Sequence, residues 1–151
     1  MKKIKLTQGK YALVDDEDYM RVNIFRWHLM SRGYAARDMG RKKILMHRFI
    51  LGVVTNMYVD HINGDGLDNR KENLRFATQR QNLGNSRRRV DNKTGFKGVH
   101  YYKRDCSYKA TIKAAGRNKH LGYFKTAEEA ALAYNRAAIE IFGEFAQINK
   151  V

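Results

Sequence analysis

Between Val59 and Asn85 the chain reads VDHINGDGLDNRKENLRFATQRQNLGN. Asp60 and His61 are adjacent, Asn73 follows 12 residues after His61, and Asn82 follows 9 after Asn73. The Asn63-Gly64 and Asp65-Gly66 pairs predict a reversal, because these residues accept the backbone angles of tight turns. Met57–Ile62, just before it, reads as a strand. Thr78–Arg88, behind it, reads as a helix with Thr78 as N-cap and arginines near its C-terminal end. On a regular strand Asp60 and His61 would point to opposite faces, so a shared role requires the strand to end or bulge there.

These residue types suit phosphodiester hydrolysis, which needs an activated water, charge neutralisation at the phosphate and stabilisation of the leaving 3′ oxygen. A neutral imidazole accepts a proton near pH 7, and His61 is the candidate base. Asp60 and Asn82 offer oxygen ligands, which suit Mg²⁺ (or Mn²⁺) better than zinc. The bland alternatives are a His-Asp pair serving a turn or core, and Asn63, Asp65, Asp68 and Asn69 as ordinary turn formers. A calcium loop around Asp65, Gly66 and Asp68 lacks the bidentate glutamate it would need.

Taken together, Asp60-His61, Asn73 and Asn82 resemble the HNH endonuclease motif, in the phage and intron-encoded branch whose last position is Asn. LMHRFILG, Leu45–Gly52, is similar to the segment that precedes the motif in those proteins. The resemblance implies a ββα-metal (His-Me finger) nuclease module around one divalent ion. His61 would be the base and Asp60 and Asn82 the metal ligands. Asn73 would be the middle residue, fixing the hairpin and orienting the histidine by hydrogen bonding. It also implies a homing or phage-encoded enzyme, and one site per monomer implies nicking of one strand. His47 and Arg48 are candidates for contact with substrate, with a structural role for His47 as the alternative. His28 beside Trp27 reads as part of a small core, and Cys106 as a bystander.

Farther along, Ser86–Gly95 (SRRRVDNKTG) is polar throughout and marks a basic linker between a nuclease domain, residues 1–85, and a second domain, residues 96–151. Lys97–Tyr102, Tyr108–Ala114 and Asn118–Phe124 predict three strands, with Gly116 in the second turn. In the middle strand Lys109, Thr111 and Lys113 share one face. A helix opens at a capping box, Thr126 to Glu129, and closes at Gly143. Ala127, Ala130, Ala131, Tyr134, Ala138 and Ile141 form its apolar stripe. The expected class is therefore α+β: the finger, then a three-stranded antiparallel sheet packed on one helix.

Gly95–Asn149 is similar to the plant APETALA and ethylene-response-factor type of DNA-binding domain. The likeness rests on Lys97-Gly98-Val99, Ala110-Thr111-Ile112-Lys113, Leu121-Gly122-Tyr123-Phe124, the Thr126–Ala131 and Ala133–Ala138 helix segments, Gly143, Ala146 and Asn149. It implies a sheet lying in the DNA major groove. Lys97, His100, Tyr102, Arg104, Thr111, Lys113, Asn118 and His120 would be its contacts. Several of these positions carry Arg, Trp or Glu in the plant domains, so their recognition sequence does not carry over. Arg87, Arg88 and Arg89 in the linker are expected on phosphates.

Composition agrees with a polyanionic partner. The 151 residues carry 30 Lys+Arg against 15 Asp+Glu, a formal charge of +15. The excess is spread: 12−5 over residues 1–56, 7−4 over 57–90 and 11−6 over 91–151. That favours double-stranded DNA over a membrane surface. No stretch approaches the roughly 20 apolar residues of a membrane span. MKKIKLTQGK has no apolar run to read as a signal peptide, and the single cysteine excludes an intrachain disulfide and a cysteine zinc cage. A cytoplasmic monomer, in a bacterial host or phage-infected cell, is expected, with a dimer as the alternative. The competing function is a non-catalytic, sequence-specific DNA binder with a degenerate nuclease module.

Overall fold

The computed structural model describes residues 1–53, 57–89 and 91–151. The chain forms two compact units, Met1–Thr78 and Gln79–Val151. The division falls ahead of the basic Ser86–Gly95 segment, so the helix after Thr78 belongs to the second unit. It is a mixed α/β architecture of small antiparallel sheets and few helices.

In the first unit β1 (Lys2–Lys5) pairs antiparallel with β2 (Tyr11–Val14), and α1 (Asp16–Asn23) follows. Then β3 (His28–Leu29), β4 (Ala35–Met39) and β5 (Lys42–Leu45) form a three-stranded meander. The short helix α2 (Met46–Ile50) leads to a hairpin of β6 (Tyr58–His61) and β7 (Leu74–Ala77). Ile4, Leu6, Val14, Val22, Trp27, Met46 and Ile50 make the core, and the hairpin joins it through Val59 and Leu74. The Trp27 indole donates to the Val22 carbonyl at 2.9 Å, giving its buried N–H a partner. Arg37 lays its guanidinium over Phe25, 3.8 Å from the ring centroid. His28 stands half-buried at the core margin, 3.7 Å from the Asp38 carboxylate. Met46 begins α2, which carries Phe49 and Ile50 on to the core.

In the second unit α3 (Gln79–Gly84) is shorter than the Thr78–Arg88 reading. Its last carbonyl, Gly84 O, is taken by the Lys97 ammonium at 2.7 Å and by the Gln147 amide at 3.2 Å. Strands β8 (Val99–Tyr102), β9 (Ser107–Ala114) and β10 (Arg117–Phe124) form an antiparallel sheet in the order β8-β9-β10. The helix α4 (Ala127–Phe142) crosses one face. Val99, Ala110, Ala130 and Ala131 form the seam, with Tyr108, Leu121 and Phe124 packed against it. The alanines let helix and sheet backbones approach closely. The expected capping box is present: Thr126 Oγ1 accepts from Glu129 N at 3.1 Å, and the Glu129 carboxylate accepts from Thr126 N at 3.3 Å. Gly143 ends the helix with φ of 56°. Ala137 and Phe142 are buried where the stripe reading had Ala127 and Ile141, which are half-buried. Among the described residues no helix is long and apolar enough to cross a membrane.

Candidate active site and nucleic-acid interface

Asp60 and His61 end strand β6, with Asp60 opposite Arg75 and His61 opposite Leu74 on β7. The strand stops at His61, whose carbonyl accepts from Gly64 N at 2.8 Å to start the turn. Both side chains are buried, at 5% and 4% exposure, although they are neighbours in sequence. Both residues lie within the regular register of β6, without a bulge between them.

The loop between β6 and β7 is a network of Asx turns. Asn73 Oδ1 accepts from Asn63 N at 3.0 Å, and its amide nitrogen donates to Asn63 Oδ1 at 3.1 Å and to the Asp68 carbonyl at 2.8 Å. Asn63 Nδ2 donates to Asp68 Oδ2 at 2.9 Å, and Asp65 Oδ1 accepts from Leu67 N at 3.0 Å. Arg70 clamps the Asp68 carboxylate with Nε at 2.8 Å and an Nη at 2.7 Å, which lowers the Asp68 pKa. The loop also docks on β2: Leu13 N donates to Leu67 O and Asn69 N to Leu13 O, both at 2.8 Å. Asn73 therefore closes the loop, and its side-chain bonds go to Asn63 and Asp68, not to the imidazole.

A different asparagine meets the imidazole. Asn69, fully buried, places Oδ1 3.4 Å from His61 Nε2. Its amide nitrogen donates to the Leu67 carbonyl at 3.1 Å, which fixes the oxygen toward the ring. An amide oxygen only accepts, so this contact favours the neutral tautomer of His61 that carries its proton at Nε2. Two rings flank His61: Tyr34 at 5.7 Å between centroids and His47 at 4.9 Å, edge-on. Gly66 makes the Tyr34 placement feasible, since a Cβ there would lie 2.7 Å from Tyr34 Cδ1 and 2.6 Å from Gly33 O. Burial lowers the His61 pKa, against the raising effect of Asn69 and the nearby carboxylates. His47 is driven down to about 3, first by burial and then by His61 and Arg48, so its ring is neutral at working pH.

The Asp60 carboxylate receives Arg75 Nε at 3.0 Å. Among the described residues no group of three His, Cys, Asp or Glu gathers to hold a metal. The buried Asp60 carboxylate is a hard oxygen donor of the kind Mg²⁺ takes. Asn82 lies on α3, in the second unit.

In the second unit the register sorts the expected DNA contacts. His100 opposes Lys109, Thr111 opposes His120 and Lys113 opposes Asn118. With Tyr102 they share the sheet face opposite the Val99–Ala110 pair that packs on α4. Lys109 and Tyr123 belong to that outer face too, paired in register. Alternation along β9 and β10 carried this signal. Tyr123 stacks at 4.8 Å on His120 and at 5.4 Å on Tyr102. Arg104 is exposed beside Tyr102 and pairs with Asp105 at 3.0 Å. Lys97 departs from the set. Its ammonium is held at Gly84 O, 5.9 Å from the Tyr134 ring centroid, and burial lowers its pKa to about 8. Arg87, Arg88 and Arg89 are exposed; Arg89 pairs with Asp91, while Arg88 donates to the Arg89 and Asn92 carbonyls.

The structure thus holds an imidazole and a carboxylate at the end of a hairpin strand, with the loop between the strands closed by asparagines. The HNH endonuclease family profile matches residues 52–83. An uncharacterized HNH endonuclease of Acanthamoeba polyphaga mimivirus is 34% identical over 151 residues, covering 95% of this chain and 77% of the relative. Protein 3.8 of Escherichia phage T7 is 31% identical over 90 residues, covering 60% of this chain and 74% of the relative. No solved structure matches. The chain belongs to the HNH endonuclease family.

Proposed function

We propose that the protein is a divalent-metal-dependent DNA endonuclease that hydrolyses phosphodiester bonds, of the nicking kind and phage-encoded or homing in origin. The observation that carries this reading is the buried Asp60–His61 pair at the end of β6, with Asn69 on the imidazole. His61 Nδ1 takes a proton from water as the oxygen attacks phosphorus, and the P–O3′ bond breaks. The motif assigns Asp60 and Asn82 as the oxygen ligands that would hold a divalent ion, Mg²⁺ or Mn²⁺, and that ion would supply Lewis-acid neutralisation of the phosphate and the leaving oxygen. Asn73 keeps the loop closed and so keeps Asp60 and His61 at the end of their strand. The module is read as a ββα-metal finger made of β6, β7 and the helix that carries Asn82.

The second unit is read as the DNA-holding part, similar to the APETALA and ethylene-response-factor domains. Its outer sheet face, His100, Tyr102, Thr111, Lys113, Asn118 and His120, would enter the major groove. Support comes from the strand order, the single packed helix and the shared face. The exposed linker arginines would add salt-sensitive phosphate contacts.

The test is a supercoiled-plasmid assay with Mg²⁺, Mn²⁺ or EDTA, comparing wild type with His61→Ala. Metal-dependent nicking by wild type, lost in the variant with DNA binding intact, is expected. Metal-independent binding without nicking would move the protein to the non-catalytic DNA-binder reading.

A further inference from the structure

The second unit contains a cleft of about 550 Å³ walled by Ser86, Arg87, Arg89 and residues 91–94 on one side and by β8 with Thr111, Lys113 and Asn118 of the outer sheet face on the other. Its lining includes Arg87, Arg89, Lys93, Lys97, Lys103 and Lys113, and the only carboxylate among the lining residues is Asp91. Asp91 is spent on Arg89, with bonds of 2.8 and 3.0 Å. Arg87, Lys93, Lys103 and Lys113 are exposed and make no ion pair among the described residues. Four unpaired cations thus face one concavity, where low-dielectric walls strengthen their joint field.

The segment is pre-shaped. Asn92 Nδ2 donates to the Phe96 carbonyl at 2.9 Å and the Val99 carbonyl at 3.1 Å. Thr94 Oγ1 donates to Val99 O at 2.9 Å, and Arg88 to Asn92 O at 2.9 Å. These bonds tie the cation-bearing loop to the first residue of β8, so little ordering is left for a ligand to induce. Lys97 lies at the base of the cleft, deprived of water and held by a carbonyl oxygen, with no carboxylate to neutralise it. The aromatic part of the outer face is different in kind: there the Tyr123 ring lies tilted against Tyr102 and His120.

We propose that this cleft is a clamp for the phosphodiester backbone of one DNA strand, distinct in task from the aromatic part of the same sheet. The inference rests on the DNA-binding reading of the second unit and deepens it. Cations that touch only phosphate set affinity and its salt dependence, without reading sequence. The cleft would therefore carry the salt-sensitive share of binding, and the aromatic part of the sheet the sequence-sensitive share.

The test is duplex DNA binding by the full chain in EDTA, from low to moderate salt. The double variant Lys93→Gln/Lys103→Gln is compared with wild type and with Lys125→Gln, an exposed lysine outside the cleft. Each lost phosphate contact flattens the slope of log affinity against log salt by about 0.9. The double variant should lose close to 2 slope units, equally on all sequences, and Lys125→Gln none. A wild-type slope in the double variant, with DNA binding intact, overturns the clamp alone. Absence of salt-dependent duplex binding by wild type overturns the DNA-binding reading as well, and so does preference for RNA in competition.

Discussion

The imidazoles of His47 and His61 meet edge to face with 4.9 Å between their centroids, both rings buried. Among the described residues His47 Nδ1 has no hydrogen-bond partner. A polar atom buried without a partner costs roughly 1–3 kcal/mol, which a phenylalanine there would not incur.

The pair makes stability depend on pH. The His47 pKa falls from 6.5 in the unfolded chain to about 3 in the fold. Below pH 6.5 the unfolded state binds a proton that the folded state refuses. Stability is therefore full above 6.5 and declines as pH falls toward 3, by on the order of 4–5 kcal/mol at the bottom of the window. The lowered His61 pKa acts in the same direction. His47→Phe should be at least as stable as wild type at pH 7 and clearly more stable at pH 4.5, by thermal unfolding without metal. Parallel curves for the two proteins would refute the assignment.

Asn69 sets which nitrogen of His61 is basic. Asn69→Ala removes the acceptor at Nε2 and should lower kcat about 10–100-fold, the range seen when a supporting hydrogen bond is lost. DNA affinity measured in EDTA should not change. Asn69→Asp keeps an acceptor oxygen and should recover part of the rate. A variant with wild-type kcat would show that the ring is oriented by other contacts.

What could be read from the chain follows the range of the forces. The second unit was legible because strand alternation, Gly116 and the Thr126–Glu129 capping box are local signals, and β8, β9 and β10 fall within two residues of expectation. In the first unit β1 and α1 went unseen: KKIK buries one residue, and the polar DDEDYMRVN run shows no apolar stripe. Asn69 looked like a turn former because its burial depends on a bond to Leu13, a strand far away in sequence. Lys97 looked like a DNA contact because nothing in KGV foretells that its ammonium meets Gly84 O. That one hairpin carries both His61 and Asn73 was legible from the turn residues between them.

Gly98 is a packing requirement of the second unit. Its φ is +76°, and a Cβ would sit 2.2 Å from Tyr134 Cδ2 and 2.6 Å from the Thr111 carbonyl. Gly98→Ala combines a strained backbone with a clash against a buried ring, costing about 3 kcal/mol or more. Hydrogen exchange should show reduced protection of the Thr111 amide, which bonds Gly98 O at 2.8 Å. Unchanged protection would mean that Tyr134 moves aside without penalty.

Arg75 occupies the carboxylate that the proposed function gives to the metal ion. Arg75 Nε holds Asp60 Oδ2 at 3.0 Å, with side-chain exposures of only 16% and 6%. An ion that binds only the folded protein raises stability by RT ln(1 + [M]/Kd), so metal occupancy reads out as a shift in Tm. Mn²⁺ should raise the Tm of wild type and leave that of Asp60→Asn unchanged. Arg75→Gln leaves a buried carboxylate with a weaker partner, so the variant should be less stable without metal. It should also gain more than wild type from the same Mn²⁺ concentration, because the cation then replaces lost charge compensation. Equal metal-induced shifts in wild type and Asp60→Asn would remove Asp60 from the ligand set. The nuclease would then need a different oxygen donor.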